Sequence, residues 1–140
     1  MSSFSVDRFQ VIVLTVADLE QSRRFYTDLL GLSFAGELSN RFLEYTVGDI
    51  PLMLHLDTGS VNAGKENPAP GVALYLGVDN VDAAIEYLRA SGVTILEEPA
   101  TQSWGKRDAC IADPDGYRIH LSSEQFQEKS GMAAEFKPAE

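Results

Sequence analysis

The stretch Val16-Ala-Asp-Leu-Glu-Gln-Ser-Arg-Arg-Phe25 decides the fold, because it returns in altered form as Val78-Asp-Asn-Val-Asp-Ala-Ala-Ile-Glu-Tyr87. Each copy follows an apolar strand and places Asp18 or Asn80 where the N-cap of a helix is expected. Each copy also puts an aromatic residue seven positions after the cap and closes on a glycine suited to a left-handed conformation. Two related units therefore account for nearly the whole chain.

Strand-like runs follow each predicted helix. They cover residues 32–38, 41–47, 51–57, 93–97, 108–112 and 117–122. The sequence Asp113-Pro-Asp-Gly116 predicts a turn and not a catalytic pair, because proline fixes φ and glycine accepts a positive φ. These patterns predict an α+β fold of two tandem β-α-β-β-β modules, about 8–57 and 71–122, with a Gly-, Asn- and Pro-rich linker at 58–70 and a polar tail at 123–140.

Composition restricts the class of protein. The 140 residues are 44% hydrophobic and carry a net charge of −10, which is typical of a soluble domain and excludes the basic stripe that nucleic acid binding needs. The longest apolar run, Val11–Leu14, is too short to cross a membrane, and the N-terminus does not resemble a signal peptide, so a cytoplasmic location is expected. Cys110 is the one cysteine, so no internal disulfide and no cysteine-built zinc site is expected.

Strand alternation separates two faces of the predicted sheets, since successive side chains point to opposite sides. One face is continuously apolar and is expected to pack on the helices. It comprises Ile12, Leu14, Val16, Leu52, Leu54, Leu56, Val72, Leu74, Leu76, Val78, Tyr117, Ile119 and Leu121. The other face mixes small, aromatic, charged and histidine side chains. It comprises Val11, Val13, Thr15, Met53, His55, Ala73, Tyr75, Gly77, Arg118 and His120.

The mixed face is typical of a concave ligand-binding sheet. The alternative is an ordinary solvent-facing sheet, which would leave Met53, Val11 and Val13 exposed. Trp104, the single tryptophan, either stacks on a planar ligand or covers the end of the sheet. The residues alone leave both alternatives open.

The order of these motifs resembles the vicinal oxygen chelate superfamily, which includes glyoxalase I, bleomycin resistance proteins and extradiol dioxygenases. Residues 16–26 with Leu30-Gly-Leu32 resemble the opening of such a protein, and residues 78–84 and 113–117 resemble its second half. The resemblance covers about residues 8–123. It implies one domain in which the modules form a cupped mixed sheet with the helices on its convex side. It also implies a homodimer whose cavities are shared between subunits.

The resemblance further implies four metal-ligand positions, one on each of the first, fourth, fifth and eighth strands. These positions carry Val11, His55, Ala73 and His120. Valine and alanine have no donor atoms, and a catalytic metal usually needs about three protein ligands. The segments Trp104-Gly-Lys-Arg107 and Phe25-Tyr-Thr-Asp-Leu-Leu-Gly31 are instead similar to the metal-free bleomycin resistance branch.

These considerations favour a protein that binds a small aromatic or cationic compound, as in antibiotic resistance, with no cofactor and no assigned catalytic residue. The expected ligand-binding residues are Met53, His55, Tyr75, Trp104, Arg118 and His120. Arg118 is expected to pair with a carboxylate or to favour an anionic ligand, because it would repel a cationic one. The alternative is a metal-dependent lyase, isomerase or dioxygenase with His55 and His120 as ligands. A third hypothesis is metal-free acid–base catalysis by a histidine.

Overall fold

Each half of the chain folds into a β-α-β-β-β module in the computed structural model, which describes residues 3–57 and 67–124. The chain divides into two units, Met1–Ala63 and Gly64–Glu140, whose boundary falls inside the predicted linker. Residues 58–66 of that linker and residues 125–140 of the predicted tail lie outside the described residues. The α+β fold class predicted from the sequence is confirmed.

Module one contains one helix and a four-stranded mixed sheet. Strand β1 pairs in parallel with β4, and β3 pairs antiparallel with both β4 and β2, which gives the order β1-β4-β3-β2. Its elements are β1 (Ile12–Val16), α1 (Leu19–Arg23, continued by a π-helical segment over Arg24–Leu29), β2 (Ser33–Leu38), β3 (Phe42–Val47) and β4 (Ile50–Leu56).

Module two repeats this topology with the strand order β5-β8-β7-β6, in which β5 and β8 are the parallel pair. Its elements are β5 (Leu74–Gly77), α2 (Val81–Ala90), β6 (Thr94–Thr101), β7 (Lys106–Ala112) and β8 (Arg118–Glu124). Among the described residues, no helix has the length and apolar character needed to span a membrane.

The predicted N-caps are confirmed in both modules. The Asp18 carboxylate accepts a hydrogen bond of 3.0 Å from the backbone N–H three residues on, and the Asn80 side-chain oxygen accepts the equivalent bond at 2.9 Å. Gly31 and Gly92 follow the helices with φ of 73° and 91°, a region that favours glycine. The repeated sequence pattern therefore corresponds to repeated local structure.

The predicted apolar face of each sheet is buried or half-buried, with the exception of Val72, which is 60% exposed and lies before β5. In module one the buried set is Leu14, Val16, Phe25, Tyr26, Leu43, Tyr45, Leu52 and Leu54. In module two it is Val81, Ile85, Leu88, Ala109, Cys110, Ile111, Tyr117, Ile119 and Leu121. Each set combines helix residues with strand residues, so each module has its own core. In β7 the consecutive residues Ala109, Cys110 and Ile111 are all buried, so both faces of that strand are covered.

The π-helical segment differs from the predicted regular helix. The Leu30 N–H donates to the Phe25 carbonyl oxygen at 2.9 Å, a bond that spans five residues instead of four. Within this segment Phe25 and Tyr26 are buried, and the Thr27 hydroxyl lies 2.8 Å from the Tyr45 hydroxyl of β3. The spacing of apolar residues predicts a helix, but it does not distinguish an α-helical turn from the wider turn of a π-helix.

The outer strands β2 and β6 are irregular. In β2 the pairing with β3 shifts between Phe34 and Gly36. In β6 it shifts twice, and the second shift, between Glu97 and Ala100, contains Pro99. Strand β6 also runs to Thr101, beyond the predicted end at Glu97, because a proline is tolerated where the ladder is already interrupted.

The Asp113–Gly116 turn is confirmed as structural. The Asp113 Oδ1 atom accepts hydrogen bonds from the backbone N–H groups of Asp115 and Tyr117, at 2.9 and 2.8 Å. The Gly116 N–H donates to the Asp113 carbonyl oxygen at 3.0 Å. Asp113 is 5% exposed, so its carboxylate is occupied in holding the turn that leads into β8.

Candidate ligand-binding site

The strand registers place several polar side chains on the face of the module-two sheet opposite its apolar core. Tyr75 lies opposite His120, and Gly77 lies opposite Ser122, in the parallel β5–β8 pair. Asp108 of β7 also lies opposite Ser122. Because directly paired residues share a face, these side chains belong to one surface.

A pocket of about 460 Å³ opens in module two. Its lining residues are Tyr75, Leu76, Gly77, Val78, Trp104, Lys106, Asp108, Ser122, Ser123 and Glu124. This volume is within the range of about 300–1,000 Å³ that is typical of small-molecule sites. The structure therefore places two of the predicted residues, Tyr75 and Trp104, on one pocket.

Aromatic rings supply the exposed apolar surface of this pocket. Tyr75 is 56% exposed and Trp104 is 49% exposed. The Tyr75 ring stacks on the His120 ring, with 4.3 Å between centroids and an angle of 10° between the planes. This stack fixes the orientation of the Tyr75 ring while more than half of the residue stays accessible to a planar ligand.

Arg118 is engaged by a carboxylate. Its Nη2 atom donates to Glu97 Oε2 at 2.9 Å, which agrees with one of the two roles expected for it. Arg118 does not line the pocket. The charge repulsion that this arginine would impose on a cationic ligand is therefore reduced by its ion pair.

The polar part of the pocket contains one ion pair and one buried acid. Lys106 and Glu124 form the ion pair. Asp108 is 6% exposed, and its Oδ1 atom has no hydrogen-bond partner among the described residues. Cys110, next along the same face of β7, is fully buried, and burial raises the pKa of its thiol.

Module one carries the remaining predicted residues, Met53 and His55. His55 stacks on Phe42 with 4.6 Å between centroids and 12° between planes. Met53 is half-buried and lies opposite Val13 of β1 and Glu44 of β3. The lining of the module-two pocket contains neither Met53 nor His55.

The registers also show which residues correspond between the modules. Val13 lies five residues before the N-cap Asp18 and pairs with Met53. Tyr75 lies five residues before the N-cap Asn80 and pairs with His120. Met53 is therefore the module-one counterpart of His120.

His55 has a different counterpart. It lies opposite Thr15, three residues before Asp18, whereas Ser122 lies opposite Gly77, three residues before Asn80. By the pairing registers, the two histidines do not occupy equivalent positions in the repeat.

Comparison with known proteins identifies the family. Residues 8–121 match the family model of the Glyoxalase/Bleomycin resistance protein/Dioxygenase superfamily. The chain belongs to this superfamily. That assignment confirms the resemblance drawn from the repeated motifs, and it covers both modules.

Proteins named for two different functions resemble this chain. A lactoylglutathione lyase of Haemophilus influenzae is 32% identical over 131 residues, covering 86% of this chain and 94% of that protein. A probable lactoylglutathione lyase of Vibrio cholerae is 31% identical, covering 78% and 85%. The crystal structure of TnmS3, an antibiotic binding protein from Streptomyces, aligns with a TM-score of 0.68 and 26% identity, covering 87% and 99%.

The four metal-ligand positions implied by the resemblance do not supply a ligand set. Val11 and Ala73 lack donor atoms, and they lie just before β1 and β5. On β4, the register counterpart of His120 is Met53. Within residues 3–57 and 67–124, no group of three or more His, Cys, Asp or Glu side chains is placed to hold a metal ion. The side chains at these four positions therefore do not supply the three ligands that a catalytic metal usually needs.

Sequence reasoning missed Asp108, Ser122 and the Lys106–Glu124 pair. The alternation of side chains along β7 indicates the face of the sheet on which Asp108 lies. Counting back from Ala112, which pairs with Arg118, places Asp108 and Cys110 on the face that carries Arg118 and His120. The burial of Asp108 without a partner for Oδ1 is a tertiary property that parity does not predict.

Proposed function

We propose that this chain binds a small planar aromatic compound, of the antibiotic class, on the mixed face of module two, without a resident metal and without chemical turnover. The observation that carries the proposal is the pocket bordered by Tyr75 and Trp104. Two half-exposed aromatic side chains on one pocket offer the flat surface on which a planar ring stacks. The likeness to an antibiotic binding protein supports this ligand class.

The test is a binding titration that uses Trp104 as the reporter, since the chain contains one tryptophan. Planar aromatic antibiotics are added to the protein in buffer with excess EDTA, and the tryptophan emission is recorded. We expect saturable quenching at about one ligand per chain, with a dissociation constant that EDTA leaves unchanged. Failure of every compound in the panel to bind at millimolar concentration would contradict the proposal.

Two tyrosines of similar exposure provide a matched pair of variants. Tyr75→Ala removes the ring that borders the pocket, whereas Tyr87→Ala removes a ring from α2 that is 54% exposed and outside the pocket lining. We expect Tyr75→Ala to weaken binding about 10-fold or more, because a base-sized stacking contact contributes about 1–3 kcal/mol. Tyr87→Ala is expected to bind as the unmodified chain does, and equal losses in both variants would refute the location.

A metal-dependent lyase is the second candidate, favoured by the names of the relatives from Haemophilus influenzae and Vibrio cholerae. It requires a ligand set other than the four positions described above. The test measures metal content of protein purified without chelator, and then lactoylglutathione lyase activity with added Ni²⁺ or Zn²⁺. Near-stoichiometric metal that is lost in His120→Ala, together with metal-dependent turnover, would replace the binding proposal with this one.

The first proposal includes a homodimer, which the exposed apolar side chains before β1 support. The segment before β1 exposes Phe4, Val6 and Phe9 at 73%, 83% and 76%, and runs of exposed apolar side chains are typical of surfaces that a partner covers. Light scattering coupled to gel filtration should give twice the chain mass of 15.3 kDa. A monomeric mass across micromolar concentrations would refute the dimer and leave the pocket proposal standing.

A further inference from the structure

The buried acid Asp108 has no described protein cation to neutralise it. Module two contains four Lys or Arg residues within positions 67–124, and each forms an ion pair with a different carboxylate. The pairs are Arg89 with Glu98, Lys106 with Glu124, Arg107 with Asp82, and Arg118 with Glu97. None of these ion pairs includes Asp108.

Burial makes this arrangement costly. Asp108 is 6% exposed and its Oδ1 atom has no hydrogen-bond partner among the described residues. A buried polar atom without a partner typically costs about 1–3 kcal/mol, and more when it is charged. A group that brought N–H donors and a positive charge to Asp108 would recover that cost.

The surroundings of Asp108 are those of a ligand site. It lines the same pocket as Tyr75 and Trp104, with the hydroxyl-bearing Ser122 directly opposite on β8. Aromatic faces attract cations as well as planar rings. Lys106, the cation that lines the pocket, is held by Glu124.

We propose that Asp108 makes this pocket selective for a planar aromatic compound that carries a protonated amine, with the ring on Tyr75 and Trp104 and the ammonium group hydrogen-bonded to Asp108. This inference rests on the proposed binding function and specifies its ligand class. The net charge of −10 adds a long-range attraction for such a cation. A neutral alcohol would stack in the same place and could donate one hydrogen bond to Asp108, but it would bring no positive charge to the carboxylate.

The test compares three probes with one ring system and different charges. They are 2-(aminomethyl)naphthalene, which is cationic at pH 7, 2-naphthalenemethanol, which is neutral, and 2-naphthoate, which is anionic. Binding to the full chain is measured by titration calorimetry, with ligand-observed NMR for weak affinities. We expect the amine to bind at least 10-fold more tightly than the alcohol, and the carboxylate to bind more weakly than either.

Two isosteric variants with the same change in net charge separate a local contact from general attraction. Asp108→Asn should weaken amine binding at least 10-fold and change alcohol binding by less than twofold. Glu98→Gln removes a carboxylate that lies outside the pocket lining and should leave both affinities within twofold. Equal losses of amine binding in the two variants would overturn the role of Asp108.

The outcomes also separate this inference from the function on which it rests. If the amine and the alcohol bind equally to the unmodified chain, and Tyr75→Ala weakens both, the selectivity is refuted and the aromatic site stands. If no probe and no planar antibiotic binds, both are refuted. If Asp108→Asn does not fold, the comparison of amine with alcohol on the unmodified chain decides, because it needs no variant.

Discussion

Replacing Asp113 by alanine should lower the stability of module two substantially. The carboxylate accepts two backbone hydrogen bonds, from the N–H groups of Asp115 and Tyr117. These two residues are 3% and 8% exposed. A hydrogen bond to a charged group contributes about 1.5–3 kcal/mol, and the turn keeps its backbone bond from Gly116 to the Asp113 carbonyl. Alanine removes both bonds, so we expect it to reduce the free energy of unfolding by about 3–6 kcal/mol.

Urea unfolding followed by Trp104 fluorescence measures this loss, because the single tryptophan lies in module two. With a slope of about 1.5 kcal/mol per molar urea, the midpoint should fall by about 2–4 M. Asp113→Asn keeps an oxygen acceptor and should lose about 1 kcal/mol, reflecting the weaker neutral bond. Asp79→Ala, at an exposed position, should change stability by less than about 0.5 kcal/mol.

Two results would contradict the role given to the Asp113 carboxylate. A midpoint for Asp113→Ala within about 0.3 M of the unmodified chain would show that the two N–H groups find other acceptors. Equal destabilisation by alanine and asparagine would show that negative charge, and not acceptor geometry, is what the turn requires.

Three further predictions concern single contacts. Burial raises the pKa of the Cys110 thiol, so a disulfide reagent at pH 8 should label the native chain far more slowly than the urea-unfolded chain, and equal rates would contradict its burial. The Arg107 guanidinium lowers the pKa of Asp82, so the stability that this exposed pair adds, about 0.5 kcal/mol, should be complete above about pH 4 and be lost as the pH falls through the lowered pKa. Asp82→Asn should therefore destabilise the chain at pH 7 and do so progressively less as the pH falls below about 4. A double-mutant cycle of Thr27→Val with Tyr45→Phe, measured as free energies of unfolding, should give a coupling of about 1 kcal/mol for their 2.8 Å hydrogen bond. Losses of stability that simply add would contradict this hydrogen bond.

Local features of the fold were predictable because local physics determines them. The N-cap side chains of Asp18 and Asn80 accept hydrogen bonds from backbone N–H groups in the first turn of their own helices. Because the partners are close in sequence, these caps can be recognised from the sequence. Strand parity placed Tyr75 and His120 on one face because alternation is a property of every extended chain. The extension of β6 past Pro99 was missed, since a bulge that accommodates proline depends on the neighbouring strand.

The candidate site was less predictable than the fold. Of the predicted ligand-binding residues, Tyr75 and Trp104 line one pocket, whereas Met53, His55, Arg118 and His120 lie outside its lining. The equivalence of Met53 to His120 required the pairing register, which a sequence motif does not supply. Asp108 becomes notable through its burial and its unpartnered oxygen, both of which depend on residues distant in sequence.

The interrupted ladders of β2 and β6 have a consequence for self-association. Both strands lie at the edge of their sheets, where a row of free N–H and C=O groups would otherwise be a template for aggregation. The pairing shift before Gly36 and the Pro99 irregularity disturb that row in each module. The opposite edge strands, β1 and β5, pair with β4 and β8 without register shifts, so the irregular pairing is confined to one edge of each sheet.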